Sequence, residues 1–416
     1  MKSARGSNPM LSFEAARDKV IDVCSGHATP YRTEVDICDD FARALGRVLA
    51  VDVLADRDYP PFNRSTRDGY AVRSADVSEA GAKLRLIGES RAGVAFDGAV
   101  AKGECVRILT GAAVPEGADA VIMQEYAGAE GNAVTFNCAA VEGQNFVPAG
   151  AEAKAGRAVV SYGARLGYAD LAAVAQVGHT RLAVTRRPRV AIVSTGDEVV
   201  GVNQSPGLFQ IRNSNSISLA AQVLLVGGLP NVLGNARDDV TELRARILQG
   251  LESDVLVLSG GVSVGTYDLV EQVLRELGAE FFFDSVAIRP GRPTVFGWCR
   301  RKPVFGLPGN PVSTMVTFEL FVAPAIEILS GTTPRPLPFF KTKLACDVSE
   351  KPPLAHFLPA FVNWPGGEPQ VDTIHWEGSG DIGAVARGNC FVVVRGERQQ
   401  IKAGEWVDVL PRRGFF

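Results

Sequence analysis

Residues that staple a fold or bind soft metals are scarce in this chain: seven cysteines and four histidines lie scattered among 416 residues, and no two cysteines form a CxxC pair. That placement suits reduced thiols and provides neither a disulfide framework nor a thiolate metal site. Excess charge is missing too. With a net charge of -3, there is no basic field to recruit nucleic acid and no cation-rich amphipathic segment to mark a membrane surface. Long uninterrupted charge-free apolar runs are also lacking. The N-terminal stretch MKSARGSNPMLSFEAARD has no apolar core of the secretory type, and the charge-free run 213–236 is interrupted by Asn, Ser, Gln, Gly and Pro. A cytoplasmic protein is expected. No internal repeat is found.

What is present is the composition of a globular chain, 46% hydrophobic, long enough for three or four domains at about 100–200 residues each. Leu11, Ala15, Val20 and Cys24 fall near one helical face, with Gly26 as the stop. Between residues 51 and 147 helical periodicity disappears. Short Val/Ile/Leu runs there alternate with Gly, Ala and Asp turns, as in TRDGYAVR, CVRILTGAAVP and AVIMQE, which predicts a β-rich domain. From 189 to 331 strands and helices alternate, the pattern of a doubly wound α/β domain. Its helix signals include Asp239 with Glu242 as a capping box, Gly278 after a last turn, and Pro311 at a first helical position behind Asn310. Beyond Pro334 the chain is strand-like again, with PRPLP as a stiff linker and CFVVV and EWVDVL as expected partners. The fold class is multidomain, α/β plus β, with β-rich domains on either side of the α/β domain in sequence.

The chemistry concentrates where apolar strands run directly into special turns. The strand at 254–258 meets SGGVSVG at 259–265, the strand at 304–307 meets PGNP at 308–311, and the strand at 189–194 meets TGDE at 195–198. In an open parallel sheet such loops converge on one crevice, where glycines let backbone N–H groups approach an anion at a helix N-terminus. Ser259, Gly260, Gly261, Ser263 and Gly265 are therefore candidates for an anionic ligand, with Pro308, Asn310 and Pro311 shaping the loop beside them. Glu198, Asp238 and Asp268 bring carboxylates. Acids at helix starts often serve only as caps. If these three meet within about 5 Å, however, each pair repels by on the order of 3 kcal/mol at an effective dielectric of about 20. A cation relieves that cost, and oxygen-only ligands suit Mg²⁺ rather than zinc. Arg289 and Arg292 in RPGRP offer two forks for oxyanions, or a solvated surface pair. Gly261-Val-Ser263-Val-Gly265 also fits the GxSxG elbow of serine hydrolases. Its downstream histidines would be His356 or His375, both in the β-rich tail.

The segments PPFNRSTRDGYAVR, RILTGAAVPEGADAVIMQE, VAIVSTGDEVV, DVLVLSGGVSVGTYD, RPGRP and FGLPGNPVS, in this order, resemble the molybdopterin molybdenumtransferase family, the MoeA-type proteins related to the gephyrin E domain. Six ordered motifs are more specific than one GxSxG. The resemblance implies an L-shaped homodimer of four-domain subunits: 1–50 with 148–186 as an elongated dimerisation domain, 51–147 β-rich, 187–332 the molybdopterin-binding α/β domain, and 333–416 β-barrel-like. It implies a Mg²⁺-dependent reaction of molybdate with adenylylated molybdopterin that releases AMP. Asp68 and Thr110 match family motif positions, placed by the resemblance across a dimer interface from the crevice, and Ser379 is a further ligand position. Expected contacts are the upstream molybdopterin adenylyltransferase and the recipient molybdoenzymes. A carrier or scaffold that binds molybdopterin without catalysis is the alternative. The chain departs from the family pattern at Asn63-Arg64, at Ala151-Glu152, at Arg289 and Arg292 where lysines are usual, and at Pro359.

Overall fold

A computed structural model describes residues 10–27, 30–261, 269–398 and 400–414. The chain forms two compact units, one of residues 1–35, 46–50 and 183–416, the other of 36–45 and 51–182.

The first unit opens with helix α1, Phe13–His27, which buries Phe13, Ala16, Arg17, Val20 and Cys24. Val20 and Cys24 lie on the buried face as expected, whereas Ala15 is exposed and Ala16 and Arg17 are buried in its place, and the helix runs one residue past Gly26. Arg17 can sit inside because its guanidinium donates to the carbonyls of Leu320, at 2.9 Å, and Arg335, at 2.6 Å.

The α/β core follows as β1 (Arg189–Thr195), α2 (Ser214–Val226), β2 (Leu229–Ala236), α3 (Val240–Gly250), β3 (Val255–Ser259), α4 (Leu269–Glu276), β4 (Glu280–Phe283), β5 (Val295–Cys299), β6 (Lys302–Leu307) and α5 (Pro311–Thr317). The sheet order is β2-β1-β3-β6-β5-β4. Its first four strands are parallel, and β5 and β4 join antiparallel. Strand side chains alternate between two cores: Val190, Ile192, Val255 and Val257 pack with α2 and α5 residues, while Ala191, Val193, Leu256 and Leu258 pack with α3 and α4 residues. Such double-sided burial explains why these strands read as unbroken apolar runs. The helical stretch Pro311–Leu329 is long and apolar enough to cross a membrane, but most of it is buried inside this unit, as a core helix is.

The apolar run FFFDSVAI divides its residues between two sheets. Only its first part joins β5, whereas Ile288–Arg289 pairs in parallel with Ala355–His356 of the C-terminal sheet. Asp284 and Ser285 interrupt the run, and Pro290 has no N–H with which to continue a ladder. That C-terminal sheet closes on itself. Phe340–Leu344, Trp406–Pro411, Cys390–Val394, Ala355–Asn363 and Gln370–Thr373 each pair with the next, and the last returns to the first.

The second unit is β-rich, as its turn-punctuated sequence predicts. Its six-stranded sheet runs Ala120–Met123, Gly69–Val72, Glu104–Ile108, Lys83–Ser90, Ala133–Phe136 and Ala127–Glu130. Tyr70, Val72, Cys105, Ile122 and Phe136 form one core and Ala71, Val106, Ile108 and Val121 another, the period of two expected of pleated strands.

Candidate active site

The strand order reverses between β1 and β3, the switch point at which open α/β sheets bind ligands beyond the strand carboxyl ends. A cleft of about 550 Å³ opens there. Of the residues singled out from sequence, Glu198, Asp238, Ser259, Gly260, Gly261, Pro308, Asn310 and Pro311 line it. Ser263, Gly265 and Asp268 lie outside the described residues.

At the end of β3 the chain turns through Gly260 and Gly261, with φ of +95° and +66°. A Cβ on Gly260 would sit 2.8 Å from the Thr195 carbonyl oxygen, and one on Gly261 2.8 Å from the Thr195 hydroxyl. Only glycine permits both the backbone conformation and the close approach. The Gly260 N–H is already committed, donating to the Leu307 carbonyl at 3.0 Å. It ties the β3 and β6 loops together and is not part of an anion cradle.

The acids occupy another edge. The Glu198 carboxylate folds over Gly196, where a Cβ would lie 2.5 Å from Oε2. Asp197 Oδ1 accepts from the Asp238 N–H at 3.3 Å. Burial pushes the Asp238 carboxyl above the usual carboxylate range, and the negative charges of Asp197 and Glu198 push it further. Asp239 behaves differently from its neighbour: its Oδ1 accepts from Thr241 N at 3.0 Å and Glu242 N at 2.9 Å, capping α3. Among the described residues no three His, Cys, Asp or Glu side chains converge as a metal site.

The RPGRP arginines do not line the cleft, although Pro293 beside them does. Arg289 is in the strand pair with His356, and the Arg292 carbonyl accepts from Val286 N and Thr294 N. Arg212, which sequence reasoning passed over, is the one cation among the described lining residues, with its Nε donating to Gln204 O at 3.1 Å. Ser379 contributes its carbonyl to Val312 N, at 3.0 Å, in the first turn of α5, but does not line the cleft.

Thr195, Asn213 and Asn215 were also missed. Asn213 caps α2, its Oδ1 accepting from Ser216 N at 3.0 Å and from Ser194 Oγ at 3.1 Å. Asn215 donates from Nδ2 to Ser259 Oγ and Gly309 O. The available signal was the run RNSNS ahead of an apolar helical pattern, a sequence richer in short polar side chains than a single cap needs.

In the β-rich unit, Asp68 Oδ1 accepts from both the backbone N–H and the hydroxyl of Thr110, each at 2.7 Å. The backbone donor, then the hydroxyl, holds the Asp68 carboxyl below the usual range. Two departures from the family pattern meet in this unit, since Arg64 and Glu152 form an ion pair at 2.7 Å. Asn63 Oδ1 accepts from Ala149 N at 3.0 Å. In the barrel, Pro359 stands opposite Phe391, and its carbonyl accepts from Ile374 N.

The hydrolase alternative finds no histidine among the described residues that line the cleft. His356 is buried in the barrel between Glu350, 2.8 Å from Nδ1, and the Lys351 carbonyl, 3.0 Å from Nε2. His375 is exposed beside Glu377, and neither histidine lines the cleft.

Three family descriptions match in order: the MoeA N-terminal region (domain I and II) over residues 11–178, the probable molybdopterin binding domain over 191–328, and the MoeA C-terminal region (domain IV) over 341–411. The chain is 33% identical over 377 residues to a molybdopterin molybdenumtransferase of Bacillus subtilis, covering 88% of this chain and 87% of that protein. It is 33% identical over 414 residues to the molybdopterin molybdenumtransferase of Haemophilus influenzae, covering 97% and 98%. Among solved structures, a molybdopterin biosynthesis moeA protein from Pyrococcus horikoshii OT3 superimposes with a TM-score of 0.82 at 27% identity, over 97% of this chain and all of the other.

Proposed function

The chain belongs to the MoeA family, and on that premise we propose that it inserts molybdenum from molybdate into adenylylated molybdopterin, with AMP as the second product. The observation that carries this reading is the pairing, at one switch-point cleft, of a glycine turn with the acids Glu198 and Asp238. A binding protein gains nothing from acids that repel each other, whereas a cation-assisted transferase needs them. The donor set fits Mg²⁺: carboxylate oxygens only, with Asp238 already burdened by the neighbouring negative charge. Glu198 and Asp238 would hold the ion, with Asp268 as a third candidate. Bound there, Mg²⁺ supplies charge neutralisation at phosphate oxygens.

The chain's own groups do the rest. The Gly260–Gly261 turn allows a ligand to approach the backbone closely, and Ser259 and Asn310 present polar side chains to it. Pro308 and Pro311 fix the course of the neighbouring loop. Arg212 offers a guanidinium to an anionic oxygen. Asp68, kept ionised by Thr110, is a carboxylate ready to orient a reactant or accept a proton. Arg289, Arg292 and Ser379 remain secondary ligand candidates. The same reading includes the four-domain division, a homodimer, a cytoplasmic location, and exchange of ligand with a molybdopterin adenylyltransferase and with molybdoenzymes.

AMP release from adenylylated molybdopterin, with molybdate and Mg²⁺ each present or omitted, tests the proposal. Release that requires both is the expected result. Tight binding without release would point to a carrier.

A further inference from the structure

Two polar atoms of the cleft wall are buried without a hydrogen-bond partner among the described residues, Thr195 Oγ1 and Asn215 Oδ1. Asn215 is held from the other end of its amide, with Nδ2 donating to Ser259 Oγ at 2.8 Å and to Gly309 O at 2.7 Å. A peptide carbonyl can only accept, so the contact with Gly309 fixes which amide atom is nitrogen and which is oxygen. Oδ1 is therefore a positioned acceptor. Leaving such an atom unpaired is costly. An ionised phosphate or molybdate cannot relieve that cost, because it too only accepts. A neutral ligand group carrying N–H or O–H does.

We infer that Asn215 recognises the exocyclic amino group of a fused-ring heterocycle in the substrate, so that one wall of the cleft reads the ring while the acid edge deals with charge. The Thr195 hydroxyl, against Gly260 and Gly261, is a second contact able to donate or accept. This inference rests on the cleft being the substrate cleft proposed above. Two sources supply the chemistry, the pterin with its 2-amino group and the adenine of the adenylyl group with its 6-amino group. Asn215 is a specificity residue on this account. It discriminates by leaving Oδ1 unpaired against any ring that lacks the amino group.

The experiment measures binding of two ligand pairs to the full-length protein and to Asn215→Leu: 6-hydroxymethylpterin with its 2-desamino counterpart, and AMP with purine riboside 5′-monophosphate. Loss of the amino group should weaken binding to the wild type by roughly 10- to 100-fold in one pair, and the ratio should fall towards one in Asn215→Leu. Discrimination in the pterin pair assigns Oδ1 to the pterin, and discrimination in the adenine pair assigns it to the nucleotide. The inference is overturned by no discrimination in either pair, by discrimination that survives unchanged in Asn215→Leu, or by failure of all four probes to bind. Should Asn215→Leu not fold, Ser259→Ala removes one of the two Nδ2 anchors and should lower the ratio part way; an unchanged ratio there also overturns it. Molybdenum insertion by the wild type is scored separately. A protein that discriminates through Asn215 but inserts no molybdenum retires the transferase reading and keeps this one. Insertion without Asn215-dependent discrimination does the reverse.

Discussion

Asp238 and Asp68 are both aspartates at sites the family reading makes functional, yet their surroundings move them in opposite directions. In the α/β unit, Asp238 is pushed up by burial and by Asp197 and Glu198, and Thr195 and Asn215 nearby in the same cleft have polar atoms without partners among the described residues. In the β-rich unit, Asp68 is pulled down by two donors from one residue. The first arrangement is incomplete by itself and gains from a ligand or a cation. The second is complete, a carboxylate kept ionised and aimed by its own scaffold. Local stability and function should therefore separate in the cleft and run together at Asp68.

The largest expected effect tests the first half of that contrast. Asp238→Asn and Glu198→Gln should each lower molybdenum insertion by on the order of 10²–10³-fold, the scale at which a positioned charge supports a transition state. Asp238→Asn should also leave the fold slightly more stable once the pH is high enough to ionise the wild-type carboxyl in the folded state. The sign follows from the raised folded pKa: the native state disfavours ionised Asp238, so its contribution to stability falls as pH rises from the unfolded pKa through the folded one. Thermal melts and insertion assays on the same preparation check both statements. Lost activity with an equal or higher Tm supports the cleft reading; full activity in both variants removes these acids from the mechanism.

Gly260→Ala comes next, because it damages the fold and the cleft together. Alanine must adopt φ near +95° and place Cβ 2.8 Å from the Thr195 carbonyl oxygen. A cost of about 1–3 kcal/mol is expected, read as a lower denaturation midpoint at unchanged slope. Ligand affinity should fall with it, since the turn also joins β3 to β6.

Much of this site was legible in the sequence because its signals are local. An apolar run that abuts a glycine or proline turn marks a buried parallel strand ending at a loop, and β1, β3 and β6 all announce themselves in this way. Pro311 at the start of α5 and Asp239 at the start of α3 are legible for the same reason. What sequence could not show depends on distant partners. Asn215 acquires its role from Ser259 and Gly309, 44 and 94 residues away. Arg289 and Arg292 have the composition of an anion site but fall beside the cleft, because Ile288–Arg289 is drawn into the barrel by Ala355–His356. The buried Arg17 of α1 is a smaller instance, held inside by carbonyls more than 300 residues away.

A more moderate effect tests the second half of the contrast. Thr110→Val removes the hydroxyl donor to Asp68 and keeps the stronger backbone donor, so the Asp68 pKa should rise only part way towards its ordinary value. Asp68 is depressed in the folded state, so the stability its hydrogen bonds contribute is present above the unfolded pKa and is lost as pH falls through the folded one. The variant should therefore lose stability at neutral pH relative to the wild type, and the difference should shrink in acid. If Asp68 acts as a carboxylate, the acid limb of the pH–rate profile moves to higher pH. An unmoved limb would separate Asp68 from the rate-limiting chemistry.

The smallest effect concerns the departures from the family pattern in the β-rich unit. Arg64 and Glu152 are paired at 2.7 Å, but with side chains 37% and 41% exposed, so water and salt screen them. Each alanine variant should cost little stability, and a double-mutant cycle should return a coupling of about 0.2–1 kcal/mol that fades as ionic strength rises. Such a value would identify the two changes as a compensating pair within one loop system, which leaves the Asp68–Thr110 geometry as the family motif has it. A coupling of zero with unchanged activity would make both substitutions neutral surface variation. Zero coupling with lost activity in Arg64→Ala alone would instead assign the guanidinium a ligand of its own, and the comparison of a self-sufficient β-rich site with an incomplete α/β cleft would no longer hold.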